Sequence, residues 1–187
     1  MDNKICNPLE IIQGNVSQKD LELINNYVKL VLHWNKSINI TSKNTNKERI
    51  YDFVCEGVAI SRLINNNKKI VADIGSGGGF PGIILSILGH KVRLIEINSK
   101  KASFLQYVVA ELELDSEVYN SDVKSLVFDD VDFVTSKAVT TTENILDLSK
   151  NIRNKSTKLI LCKIENYTRT VRLTAKSGYR DYFFVDF

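Results

Sequence analysis

Apolar positions recur at two different periods along this chain, and the change from one to the other divides it. After Ser17-Gln18-Lys19-Asp20, which has the form of a capping box with Asp in the acidic place, Leu21, Ile24, Val28, Val31 and Leu32 follow at helical spacing. Ile50, Val54, Val58 and Leu63 repeat that spacing, which predicts a second helix over Lys47 to Leu63. Between the two, Trp34-Asn35-Lys36-Ser37-Ile38-Asn39-Ile40-Thr41 is a polar run with an aromatic anchor, read as a loop whose asparagines bond nearby backbone. From Ile70 the pattern changes. Short apolar runs, taken as strands at Val71–Ile74, Lys91–Glu96, Glu117–Asn120, Asp132–Lys137 and Lys158–Lys163, alternate with helical stretches. The helices are expected after Pro81, from a Ser99 cap through Leu114, and from about Glu143 to Ile152; Arg172–Thr174 and Tyr182–Val185 suggest a final hairpin. This alternation predicts an α/β domain, a parallel sheet with helices on its faces. The polar stretch Asn65–Lys69 links it to the helices before it, so the expected division is residues 1–67 and 68–187.

The first strand runs into Gly75-Ser76-Gly77-Gly78-Gly79-Phe80-Pro81-Gly82. Glycines there permit a tight turn and let a ligand touch bare backbone, and proline suits the first turn of the helix that follows. Strand, glycine turn and helix form the opening unit of a nucleotide-binding α/β sheet. Gly77-x-Gly79-x-x-Gly82 fits the dinucleotide fingerprint literally, but the strand already ends at Gly75, so these glycines sit late in the turn. Asp73 also sets a carboxylate beside the loop, which would repel a pyrophosphate and suits a cationic amine or sulfonium. S-adenosylmethionine carries both cations and no phosphate, and the sequence favours it over NAD.

Composition narrows the classes. At 187 residues and net charge +3 the chain has room for a real core, and it permits a polyanionic partner without demanding one. No apolar run approaches the roughly 20 residues of a membrane span. The first residues lack the apolar core of a signal peptide, so the cytoplasm is the expected location. Cys6, Cys55 and Cys162 are widely spaced and read as buried reduced thiols; with His33 and His90 the only histidines, no metal site is expected.

Glu96, closing the second strand, can accept both ribose hydroxyls of a bound nucleoside. Asp122 follows the third strand, where adenine usually docks, though a turn or capping role is as good a reading. Lys137 ends the fourth strand and faces the crevice that α/β enzymes use. Lys100 and Lys101 open a helix, where cations oppose the dipole; a phosphate partner would answer that cost. Lys43, Lys47 and Arg49 extend the same basic character toward RNA. No Ser–His–Asp set and no activated cysteine is present, which suits methyl transfer to a lone pair such as guanine N7, where no proton must leave first.

Trp34–Thr41, Asp73–Gly82 with its Phe80-Pro81-Gly82 ending, and Leu94-Ile95-Glu96 followed by Ser99-Lys100-Lys101-x-x-Phe104-Leu105 together resemble the bacterial small-subunit ribosomal RNA guanine-N7 methyltransferases. The resemblance runs from about Trp34 to Lys163. It implies a small helical N-terminal part on a Rossmann-like methyltransferase domain, S-adenosylmethionine as donor, and a guanine of the small-subunit RNA or ribosomal particle as acceptor; a monomer is expected. By position it places Gly75 and Phe80 along the methionine and ribose, in company with Asp73, Ser76 and Gly77, and Val123 and Lys124 beside the adenosine. The chain departs from the family pattern at Asp52-Phe53-Val54-Cys55-Glu56-Gly57, where an Arg-His-x-x-Asp-Ser motif is usual, at Lys137 in place of Arg, at Ile164 in place of Gly, and in a short C-terminal region. Two other readings remain: a descendant that binds RNA or ribosomes without turnover, and an NAD-dependent oxidoreductase.

Overall fold

A computed structural model describes residues 12, 16–42, 45–64, 68–137, 142–162, 169–175 and 178–185; side chains after residue 161 are not among the described features. In chain order the elements are α1 (Gln18–Trp34), α2 (Lys47–Ile64), β1 (Ile70–Ile74), α3 (Gly82–Ile87), β2 (Lys91–Ile95), α4 (Ser99–Glu111), β3 (Ser116–Tyr119), β4 (Phe133–Lys137), α5 (Thr142–Leu148), β5 (Lys158–Cys162), β6 (Arg169–Ala175) and β7 (Gly178–Val185). One sheet holds all the strands in the order β3-β2-β1-β4-β5-β7-β6. The first five are parallel, and β7 adds antiparallel to β5. The order reverses between β1 and β4, because the chain winds outward through β2 and β3 and then returns to the other side of β1. Crevices for ligands form at such a reversal, beyond the carboxyl ends of the strands.

Period-2 alternation sorts the strands onto two apolar layers. Val71, Val92, Leu94 and Ile160 face one layer, while Ala72, Ile74, Ile95, Leu159 and Leu161 face the other. The first layer also contains Ile24, Tyr27, Val28 and Val31 of α1, Ile50, Val54, Val58 and Ile64 of α2, and Ile83 and Ile84 of α3. The segments on either side of residue 67 therefore share one core. Gly57 lets α2 cross close to α3, since a Cβ there would stand 2.7 Å from Ile84 Cβ.

The local signals hold with small shifts. Ser17 caps α1 by accepting from the Asp20 N–H at 3.1 Å. Asn98, not Ser99, caps α4, accepting from the N–H groups of Lys100 and Lys101, and the helix ends at Glu111 rather than Leu114. α5 is shorter than its apolar pattern suggests and stops at Leu148. Asn35 behaves as the loop reading requires: its Oδ1 accepts the Thr41 N–H at 2.9 Å. Among the described residues no helix is long and apolar enough to cross a membrane.

Candidate functional site

A cavity of about 710 Å³ opens at the carboxyl ends of β1, β2 and β4. Gly75, Ser76, Gly77, Gly78 and Phe80 form its floor, Glu96, Ile97 and Lys101 one flank, and Thr41, Thr45, Arg49, Phe53 and Lys137 stand among the residues of the other. The floor is backbone because the turn needs it: Gly75, Gly77 and Gly79 take φ of 69°, 56° and 89°. A Cβ on Gly79 would meet Ile83 Cγ1 at 2.5 Å and the Tyr27 hydroxyl at 2.8 Å.

The N-terminal helices hold this turn from below. Tyr27, fully buried on α1, donates from its hydroxyl to the Gly78 carbonyl and packs its ring 5.1 Å from that of Phe80. Burial, with the Asp73 carboxylate nearby, pushes the Tyr27 phenol well up, so it stays a donor. From above, Glu96 fixes the turn to β2. Its Oε2 accepts the Gly77 N–H at 2.8 Å and its Oε1 the Asn98 N–H at 2.7 Å. That geometry decides a question the sequence left to Asp73. The turn's own N–H at Gly77 is engaged by a carboxylate, so a pyrophosphate has neither that donor nor a favourable field there.

Asp73 itself is 1 % exposed and lies under the turn, outside the cavity lining. Register pairs it with Thr135 of β4, whose hydroxyl donates to Oδ1 at 2.9 Å; Oδ2 faces Gly82 without a hydrogen-bond partner. Burial pushes its carboxyl from the ordinary 3.8 up to about 6, against the opposing pull of Thr135 and Ser76. Because the folded chain holds this proton more tightly than the unfolded one, this group's own contribution to stability is fully present below about pH 4 and is lost as pH rises through 6, about 3 kcal/mol in all. The stability of the wild type relative to Asp73→Asn, from urea unfolding across that window, should show the decline. A parallel decline in the variant would assign it to other groups.

Lys137 ends β4 and lines the cavity, as its strand position predicts. Its Nζ lies 2.8 Å from Glu56 Oε2 on α2 and 3.6 Å from the centroid of the Phe53 ring. Lys137 and Glu56 are both shielded, with side chains 14 % and 5 % exposed. Arg49 and Lys101 also reach the cavity, whereas Lys47 and Lys100 are exposed outside its lining and Lys43 lies outside the described residues. Asp122, Val123 and Lys124 are not brought to the lining either. Asp122 caps a 3-10 turn by accepting the Lys124 N–H at 2.9 Å, Val123 is buried, and Lys124 pairs with Asp147 at 3.4 Å. Cys55 is a buried reduced thiol, pushed up to about 12 by burial and by Asp52 and Glu56, and so is no nucleophile.

Phe53, Glu56, Tyr27, Thr41, Ser42 and Thr45 were missed by the site reading of the sequence. A signal existed for two of these positions, through their spacing from Arg49. Arg49, Phe53 and Glu56 stand at i, i+4 and i+7, one stripe of α2 beside the buried stripe of Ile50 and Val54.

With this geometry in hand, the rRNA small subunit methyltransferase G family (GidB) matches residues 20–185. The chain belongs to this family. A ribosomal RNA small subunit methyltransferase G of Orientia tsutsugamushi strain Ikeda is 35% identical over 175 residues, covering 91% of this chain and 87% of the relative. The protein of that name from Aliarcobacter butzleri is 36% identical over 143 residues, covering 73% and 71%. Among solved structures, the magnesium protoporphyrin IX methyltransferase of Synechocystis PCC 6803 with bound SAM superposes with a TM-score of 0.61 at 17% identity, covering 84% of this chain and 95% of that one. The Bacillus cereus O-methyltransferase in complex with SAH gives 0.62 at 15% identity, covering 85% and 89%. At such identity these two share the fold with the family member described here.

Proposed function

We propose that this chain transfers the methyl group of S-adenosylmethionine to N7 of a guanine in small-subunit ribosomal RNA. Family membership over nearly the whole chain carries the reading, and the cavity fits the donor. Gly75, Ser76 and Gly77 offer a backbone cradle. Glu96, pinned by two N–H groups, keeps lone pairs on both oxygens for the ribose hydroxyls. Phe80, 7 % exposed, closes the floor beside them. When bound, the donor supplies an electrophilic methyl group: the N7 lone pair forms the new C–N bond as the C–S bond breaks, its electrons stay on sulfur, and the positive charge passes to the purine.

The chain's own residues then have positioning work. Tyr27 and Glu96 hold the turn at one height. Lys137, tethered by Glu56, presents a cation at the crevice without leaving a net charge in the wall. Arg49 and Lys101 lie where a polyanion would arrive. No residue needs to accept a proton from N7, and none of the described lining residues is a histidine.

The reading is tested by incubating the protein with labelled S-adenosylmethionine and small-subunit particles, then mapping the modified base. Label on N7 of a single guanine is expected; donor binding without transfer would leave an RNA-binding relative instead. Glu96→Ala should weaken S-adenosylmethionine by about 1.5–3 kcal/mol, the range for hydrogen bonds to a charged group. Unchanged affinity by calorimetry, in a folded variant, would remove Glu96 from the ribose.

A further inference from the structure

We propose that Asn35 is a positioning residue for the methyl donor: from the end of α1 it clamps residues 40–42, a wall of the cavity, onto Gly78 and so sets how tightly S-adenosylmethionine is held. This rests on the donor half of the reading above and not on the identity of the acceptor. The run from Trp34 to Thr41 is among the strongest sequence marks of the family, yet methyl transfer as derived so far gives its first asparagine no part. Ile40, Thr41 and Ser42 line the cavity beside the glycine turn. They are seated on it closely. A Cβ on Gly78 would stand 2.9 Å from Ile40 Cγ2 and 3.2 Å from Thr41 Cγ2.

Asn35 holds this wall in place. Its Oδ1 accepts the Thr41 N–H at 2.9 Å, and its Nδ2 donates to the Ser42 carbonyl at 3.5 Å. An amide suits the task because it offers an acceptor and a donor on one rigid plane. Asn35 is itself fixed. Its backbone N–H closes α1 on the Val31 carbonyl at 2.9 Å. Trp34 beside it packs 5.6 Å from Phe104 and 5.5 Å from Tyr107, both on α4. The same helix meets Gly78 a second time through Tyr27, whose hydroxyl donates to the Gly78 carbonyl. Floor and wall of the donor cavity are thus set from one rod. Without the Asn35 amide, the Thr41 N–H turns to water and the wall gains freedom. Ordering it again on binding then takes from donor affinity.

The test is calorimetry of S-adenosylmethionine on the full chain, with no RNA present and no turnover needed. Asn35→Ala is expected to bind the donor about fivefold more weakly, the worth of one ordinary hydrogen bond. Asn35→Asp gives up the longer contact to Ser42 but keeps the acceptor for Thr41, and should bind within about twofold of the wild type. Its charge at the C-terminus of α1 opposes the helix dipole, so its unfolding midpoint should fall all the same. Ser17→Ala removes the cap at the far end of α1 and should lower the midpoint with donor affinity unmoved. A merely structural Asn35 would tie affinity to stability across the three variants. Wild-type affinity in Asn35→Ala overturns the proposal. An equal loss in Asn35→Asp or in Ser17→Ala overturns it too, as does a wild type that binds no S-adenosylmethionine. A wild type that binds donor and transfers no methyl group ends the acceptor reading alone, and the same three affinities still decide Asn35.

Discussion

Gly79→Ala is expected to destabilise the fold by about 3 kcal/mol or more and to weaken donor binding by at least about tenfold. Two costs combine at this position. Its φ of 89° is one that L side chains rarely adopt, a strain of about 1–3 kcal/mol. Its Cβ would also sit 2.5 Å from Ile83 Cγ1 and 2.8 Å from the Tyr27 hydroxyl, both inside the core, and overpacking adds about 1–3 kcal/mol. Relief requires the turn to rise, which pulls Gly78 from Tyr27 and Gly77 from Glu96, the contacts that set the cradle. Gly89 separates the two costs. Its φ is 94°, yet nothing lies within 4 Å of its Cβ, so Gly89→Ala pays the strain alone and leaves donor affinity intact. Urea unfolding and calorimetry on both variants check this. Equal losses in the two would mean that the contacts around Gly79 yield freely.

Lys137→Ala should cost about 3 kcal/mol of stability and, separately, about a hundredfold in single-turnover methyl transfer. The first effect follows from Glu56, whose buried carboxylate loses the cation 2.8 Å away. The second follows from position, since a reacting group that drifts by an ångström loses about that much rate. Lys137→Arg keeps the charge and adds a planar fork able to bridge two acceptors, so it should transfer at least as fast as the wild type. Glu56→Gln isolates the tether: it removes the charge pair while keeping the volume. Transfer of labelled methyl to small-subunit particles, at saturating donor and with unfolding measured alongside, reads all three. Equal rates in the Ala and wild-type proteins, at equal folding, would take Lys137 out of the mechanism.

Much of the fold was legible because its signals are local. The change of period near Ile70, the Ser17 cap and the glycine turn each act within a few residues, and each stands where its pattern puts it. Glu96 and Lys137 were legible for a related reason, since strand ends in such a sheet point at one crevice. Asp73 was not. Its place under the turn depends on register with Thr135 of β4, a partner far along the chain, and no spacing announces that. Phe53 was hidden differently. A lone aromatic beside Ile50 and Val54 reads as core until the neighbouring strand end supplies Lys137 and the turn supplies Phe80. The hairpin's existence was readable from Arg172–Thr174 and Tyr182–Val185, but not its place in the sheet, where β7 rather than β6 lies against β5.

The shared core across residue 67 bears on how the chain can be divided and made. Translation yields α1 and α2 first, with Ile24, Val28, Val31, Ile50, Val54 and Val58 all waiting for cover that only the later sheet and α3 provide. A fragment beginning at Lys68 would face the converse problem: Val71, Ile83, Ile84 and Leu94 stripped of their lid, and a glycine turn with no Tyr27 beneath it. The helical segment is thus less an appendage than the missing half of a clasp, and the polar linker at 65–67 is a poor place to cut.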